Sequence, residues 1–101
     1  MTTDYLVYAR ARHRPGVLAR MTGMFYRRAL NIRSLSVGEE AGDGLVPILV
    51  RVAGEPTEIE RLTLSIQNLV DVVHASFEPF PLTERPDTRY EWPESVPRRM
   101  S

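Results

Sequence analysis

The chain contains no cysteine and no lysine. Without thiols there is no disulfide framework, thiolate nucleophile or cysteine-bound zinc. Without lysine there is no Schiff-base chemistry and no lysine general base. All thirteen basic residues are arginine, and thirteen acidic residues balance them to a formal net charge of zero. Domains built around phosphate neutralisation carry a clear positive excess, so nucleic acid is not the expected partner. Long apolar runs are missing too: none approaches the ~20 residues a membrane span needs. Met1-Thr2-Thr3-Asp4 lacks the basic and then apolar segments of a secretory leader. The expectation is a soluble, cytoplasmic protein with no membrane partner.

What is present fits one domain. A chain of 101 residues and 11.5 kDa has room for two helices on a sheet, with a thin stability margin that oligomerisation would relieve. Tyr5 to Arg12 alternates, with Tyr5, Val7, Ala9 and Ala11 on one face and Leu6, Tyr8, Arg10 and Arg12 on the other, which predicts a half-buried strand. Pro15-Gly16 stops it, and Val17, Leu18, Met21, Met24 and Phe25 then recur at helical spacing. Gly23 inside this helix costs up to about 1 kcal/mol against alanine, which predicts a close approach by a neighbour. Asn31 suits a left-handed helix end, with Arg27 and Arg28 against the negative end of the helix dipole.

A second strand follows, with Arg33, Leu35 and Val37 alternating with Ser34 and Ser36. The polar stretch from Gly38 to Gly44 carries Asp43-Gly44 as a hairpin signal. In the third strand, 45 to 52, Val46, Ile48, Val50 and Val52 share a face, and Pro47 predicts an edge or a bulge. Thr57 and Glu60 have capping-box spacing for a second helix with the stripe Ile59, Leu62, Ile66, Leu69. Val70 to Phe77 reads as a fourth strand. From 79 to 101 the composition turns to prolines amid charges and predicts an extended or disordered tail, in which Tyr90 and Trp92 are candidate anchors.

The order strand, helix, strand, strand, helix, strand, with right-handed crossovers, predicts an α+β ferredoxin-like βαββαβ sandwich: a four-stranded antiparallel sheet with both helices on one face. The domain is expected over 1 to 78. Leu6, Tyr8, Ser34, Ser36, Leu49 and Val72 are expected on the uncovered face, where another subunit would fit.

No catalytic set emerges. Ser34, Ser36, Ser65 and Ser76 lack a nucleophile-elbow context, and no paired acid and base is visible. His13 and His74 have no further ligand at metal-site spacing, so no metal site is expected. RNA-recognition domains share this strand order but need aromatic residues on the central strands. The third strand has none, which leaves RNA binding as a weaker alternative.

Pro15-Gly16-Val17-Leu18, Gly23-Met24-Phe25-Tyr26-Arg27-Arg28, Leu30-Asn31-Ile32 and Ile66-Gln67-Asn68-Leu69-Val70-Asp71-Val72-Val73 follow one another in an order and spacing that resemble an ACT domain. The similarity is in particular to the small regulatory subunit of acetolactate synthase (acetohydroxyacid synthase), in its short single-domain form. It covers residues 4 to 78. The resemblance implies a non-catalytic regulatory subunit that activates a catalytic subunit in branched-chain amino-acid biosynthesis. That partner carries thiamine diphosphate, magnesium and FAD, and no cofactor is implied for this chain.

The resemblance also implies a homodimer in which a small amino acid such as valine binds between the loop after the first strand and the helix end of a symmetry mate. Carried over, the site is His13, Arg14, Gly16, Val17, Leu18, Asn31 and Ile32. His13 stands where valine-sensing relatives usually carry asparagine, which changes the donors offered to a ligand. A free-standing ACT sensor controlling another enzyme or regulator is the alternative within the same resemblance.

Overall fold

The computed structural model describes residues 3–40 and 42–80. Its elements are β1 (Thr3–Arg12), α1 (Val17–Arg27), β2 (Asn31–Val37), β3 (Leu45–Gly54), α2 (Pro56–Gln67) and β4 (Val72–Pro79). The strands form one antiparallel sheet in the order β2-β3-β1-β4, the ferredoxin-like arrangement expected from the element order. Among the described residues no helix is long and apolar enough to cross a membrane.

The two-residue period of β1 and β3 sorts their side chains. Val7 lies opposite Val50, Ala9 opposite Ile48 and Ala11 opposite Val46, and all six are buried in one cluster with both helices. Helix α1 adds Val17, Met21 and Phe25, and α2 adds Ile59, Leu62 and Ile66. Each large side chain so buried contributes about 2 kcal/mol from the area it removes from water.

Two β-bulges change which residues share a face. Between Ile32 and Ser34 the β2–β3 register shifts, so Arg33 is the extra residue and Ile32, Leu35 and Val37 lie on the helix side. Arg33, expected alongside Leu35 and Val37, instead donates from Nε to Asp4 Oδ1 at 3.1 Å. A second shift between Arg10 and Ala11 pairs Ala11 with Val72. Val72 therefore joins the helix-side core and not the opposite face where simple alternation puts it.

The helix ends also differ from expectation. Helix α1 closes with Ala29 N–H bonded to the Tyr26 carbonyl at 3.0 Å and Leu30 N–H to the Phe25 carbonyl at 3.0 Å, a Schellman motif. The left-handed residue is Ala29, with φ of 56°, because burying Leu30 against Phe25 sets the turn there. Asn31, expected at that place, is the first residue of β2. Helix α2 starts at Pro56, whose fixed φ suits the first helical position, and Glu58 accepts from the Glu55 N–H at 3.5 Å. The capping pair is thus Glu55 and Glu58, not Thr57 and Glu60.

Pro47 lies in an interior strand, without a bulge of its own. The β2 ladder ends at the Val37–Ile48 pair, and beyond it the Pro47 carbonyl accepts from Gly38 N–H at 2.8 Å. A missing N–H costs nothing past the end of a ladder.

On the face away from the helices, Leu6 and Leu49 are buried with Phe80, and Tyr8 packs against them. This face is therefore not bare. Strand β4 includes Pro79, and the Phe80 N–H donates to the Asp4 carbonyl at 2.9 Å. The Arg51 guanidinium sits 4.0 Å from the Phe80 ring centre and bonds Asp4 Oδ2 at 2.7 Å. Two residues beyond 78 thus pack with the domain, and 81–101, the rest of the expected tail with Tyr90 and Trp92, lie outside the described residues.

Candidate functional site

The loop between β1 and α1 is built largely from backbone bonds. His13 N–H reaches the Gly44 carbonyl at 3.3 Å, Arg14 N–H the Arg12 carbonyl at 3.0 Å, and Val17 N–H the Arg14 carbonyl at 3.2 Å. Gly16 is the N-cap, with φ of 87°, a conformation that disfavours residues with a Cβ. No side chain caps α1 and its first turn has no acidic residue. With the Val17 N–H on the Arg14 carbonyl and the Arg20 N–H on the Gly16 carbonyl, the N–H groups of Leu18 and Ala19 are those of the first turn left without an intrahelical partner.

Beside this loop is a cavity of about 140 Å³. It is lined by Arg12, His13 and Arg14 of the loop, by Gly16, Val17 and Leu18 at the start of α1, and by Val37, Val46 and Ile48 of the sheet. His13 Nδ1 lies 3.3 Å from Glu40 Oε1, with both side chains exposed. At the other end of α1 is a wider, open groove of about 560 Å³, lined by Ala19, Thr22, Gly23, Tyr26 and Leu30 together with Asn31 and Ile32. A Cβ on Gly23 would meet only the Arg27 guanidinium, at 3.7 Å. The close neighbour expected at Gly23 is thus absent among the described residues of this chain.

The structure therefore gathers His13, Arg14, Gly16, Val17 and Leu18 around one cavity and puts Asn31 and Ile32 on another. The two lie at opposite ends of β2, since Val37 lines the first and Asn31 the second. Sequence reasoning gives no place at the loop to Arg20, Glu40 or Asp71, the last appearing only within the motif over 66–73. Arg20 has a signal, because its position four residues after Gly16 puts it on the same side of the helix. Asp71 and Glu40 reach the loop from distant segments, for which no local pattern exists.

His74 is opposite Arg10 on β4 and its ring is 6.2 Å from that of Tyr8. It is thus apart from His13, and among the described residues no group of three or more His, Cys, Asp or Glu could hold a metal ion.

Residues 8–74 match the family model described as the AHAS small subunit-like ACT domain. The chain belongs to that family. Within the ACT family, the chain is 33% identical over 69 residues to a probable acetolactate synthase small subunit of Methanothermobacter thermautotrophicus, covering 68% of this chain and 41% of that one. It is 41% identical over 63 residues to the acetolactate synthase small subunit of Bacillus subtilis, covering 60% and 36%. The chain thus spans about two fifths of the length of these ACT-containing relatives. The crystal structure of the acetolactate synthase small subunit from Thermotoga maritima superposes with a TM-score of 0.64 at 33% identity, over 79% of this chain and 49% of that one. The ACT domain of a GTP pyrophosphokinase from Chlorobium tepidum, at 14% identity and a TM-score of 0.65 over 77% of this chain and 100% of that one, shares the fold.

Proposed function

We propose that this protein is a regulatory subunit of acetolactate synthase: it activates a thiamine-diphosphate-dependent catalytic subunit and binds a small branched amino acid between two copies of its own ACT domain. The observation that carries the proposal is the placement of the two half-sites at opposite ends of an edge strand. Strand β2 has one neighbour, and its Leu35 and Val37 are 38% and 47% exposed. Antiparallel pairing of β2 with β2 of a second copy, about a two-fold axis near Ser34, sets Val37 of each beside Asn31 of the other. The cavity of one copy then faces the Asn31-Ile32 groove of its partner, twice per dimer. Gly23 gains a purpose in the same geometry, since it lets the second copy's helix come close.

The chemistry of the joined site suits an α-amino acid. The Leu18 and Ala19 N–H groups at the positive end of α1, with Arg14 nearby, attract a carboxylate. Val17, Leu18, Val37, Val46 and Ile48 offer an apolar space of about 140 Å³, close to the ~150 Å³ of cavities that hold benzene, and enough for a branched aliphatic side chain. Asn31 supplies an amide oxygen to the ammonium, and Glu40 adds negative charge through His13. The catalytic partner supplies thiamine diphosphate, magnesium and FAD, and the pair works in the cytoplasm.

Calorimetry with valine, leucine and isoleucine, with and without the catalytic subunit, tests the binding; enzyme assays test the activation. The expected result is heat with at least one of the three and a rise in synthase activity. Binding without activation would favour a sensor for another enzyme. The absence of both binding and activation would end the proposal. His13→Asn is expected to strengthen valine binding several-fold, because the amide presents its donor and acceptor side by side, whereas neutral imidazole presents one of each in a different geometry.

A further inference from the structure

The loop is also held by a residue that lines neither cavity. Asp71 stands between α2 and β4, and its side chain is 10% exposed. Its carbonyl accepts from Arg12 N–H at 2.8 Å. Its carboxylate meets two arginines: Oδ1 lies 3.7 Å from Arg14 Nε, and Oδ2 accepts from Arg20 Nη2 at 3.1 Å. The Arg20 Nη1 in turn lies 3.2 Å from the point a Cβ on Gly16 would take. One buried residue thus fixes the end of β1, the loop and the turn beneath Gly16.

A buried carboxylate is tolerated when its charge is paired, and here both partners come from the loop and the helix it starts. For Arg14 the consequence is directional. Its side chain is 63% exposed, and unpaired it would sample many rotamers. Nε is the Arg14 atom paired with Asp71, and Arg14 also lines the cavity, which leaves its two terminal nitrogens to take both oxygens of a carboxylate as a planar fork.

We propose that Asp71 is a positioning residue for the effector's carboxylate: it holds Arg14 toward the cavity that Arg14 lines and thereby ties effector affinity to the junction between α2 and β4. The proposal rests on the amino-acid site proposed above.

The test is a double-mutant cycle on the full chain, with valine as the probe in calorimetry and thermal unfolding recorded alongside. Asp71→Asn and Arg14→Gln are each expected to weaken valine binding about tenfold, and the double variant no more than either alone. A role confined to holding the fold together would make Asp71→Asn cost as much in the Arg14→Gln background as in the wild type, and that outcome overturns the proposal. If Asp71→Asn does not fold, Arg14→Lys decides: it keeps the charge but has no Nε to turn toward Asp71, so valine should again bind about tenfold more weakly. Unchanged affinity there overturns the proposal as well. If the wild type binds none of valine, leucine and isoleucine, the amino-acid site itself fails, which is a distinct result from a wild type that binds and variants that are additive.

Discussion

Ile32 and Val37 sit at opposite ends of β2 on the same side of the sheet, opposite Val52 and Ile48 of β3, and each lines a different cavity. The proposed self-pairing of β2 would unite those cavities, so the edge strand is the place to break such an assembly. Leu35, between them and 38% exposed, is the residue to change. Leu35→Glu puts a charge on the pairing edge while disturbing little of the monomer. By light scattering the wild type should weigh about twice the 11.5 kDa of one chain and the variant about one chain. Valine heat should disappear with the dimer. A monomeric wild type that still binds valine contradicts the shared site.

The two glycines of the α1 region should respond in opposite ways to alanine. Gly16 has φ of 87°, and a Cβ at that position would press on the Arg20 guanidinium at 3.2 Å. Gly16→Ala should therefore lower stability by about 1–2 kcal/mol, read from urea midpoints. Gly23→Ala meets only an arginine tip at 3.7 Å, and in the separated monomer should add up to about 1 kcal/mol of helix stability. In the dimer the same methyl should weaken association.

Ala29 holds the left-handed position of the Schellman turn with φ of 56°, where a side chain costs about 1 kcal/mol that glycine does not. Ala29→Gly should stabilise the protein by about that amount in thermal or urea unfolding, despite adding freedom to the unfolded chain.

Phe80 closes a small cluster with Leu6 and Leu49 and carries the Arg51 guanidinium on its ring. Phe80→Ala should cost about 3 kcal/mol. Loss of the backbone bond to Asp4 should follow, visible as faster hydrogen exchange at the Phe80 position. A change below about 0.5 kcal/mol would mean that residue 80 lies outside the cooperative unit.

Burial raises the Tyr8 phenol above its usual 10.0, while the nearby Arg10 cation pulls the other way. The unfolded chain therefore releases this proton at a lower pH than the folded one. The contribution is complete below about pH 10 and is lost as pH climbs through the raised folded value. Urea midpoints followed from about pH 9 to about 11.5 should fall less steeply in Tyr8→Phe than in the wild type.

The element order, the core-facing stripe of each helix and the loop at Pro15-Gly16 are all legible in the sequence, because each follows from local periodicity or from a residue with restricted backbone freedom. Val72 and Arg33 depart from the faces that alternation predicts, because a bulge shifts alternation by one residue and has no marker in either strand. Ala29, not Asn31, takes the left-handed turn because the burial of Leu30, a tertiary demand, outweighs the local preference of asparagine. For the candidate site, the loop half and the Asn31 half are visible as motifs. Their separation onto two cavities is not, since it depends on where β2 runs. Asp71 is invisible as a partner of Arg14 for a simpler reason: the two meet only once the chain has folded.

Helix α1 has eleven residues, about 16 Å of rod at the usual rise, with the Gly16 loop at one end and the Ala29 turn at the other. In a β2-paired dimer each rod therefore belongs to both ligand sites, giving its beginning to one and its end to the other. A first ligand that stiffened this strut would leave the second a partly ordered site. The two binding events on one dimer should then be unequal, with a Hill coefficient above one.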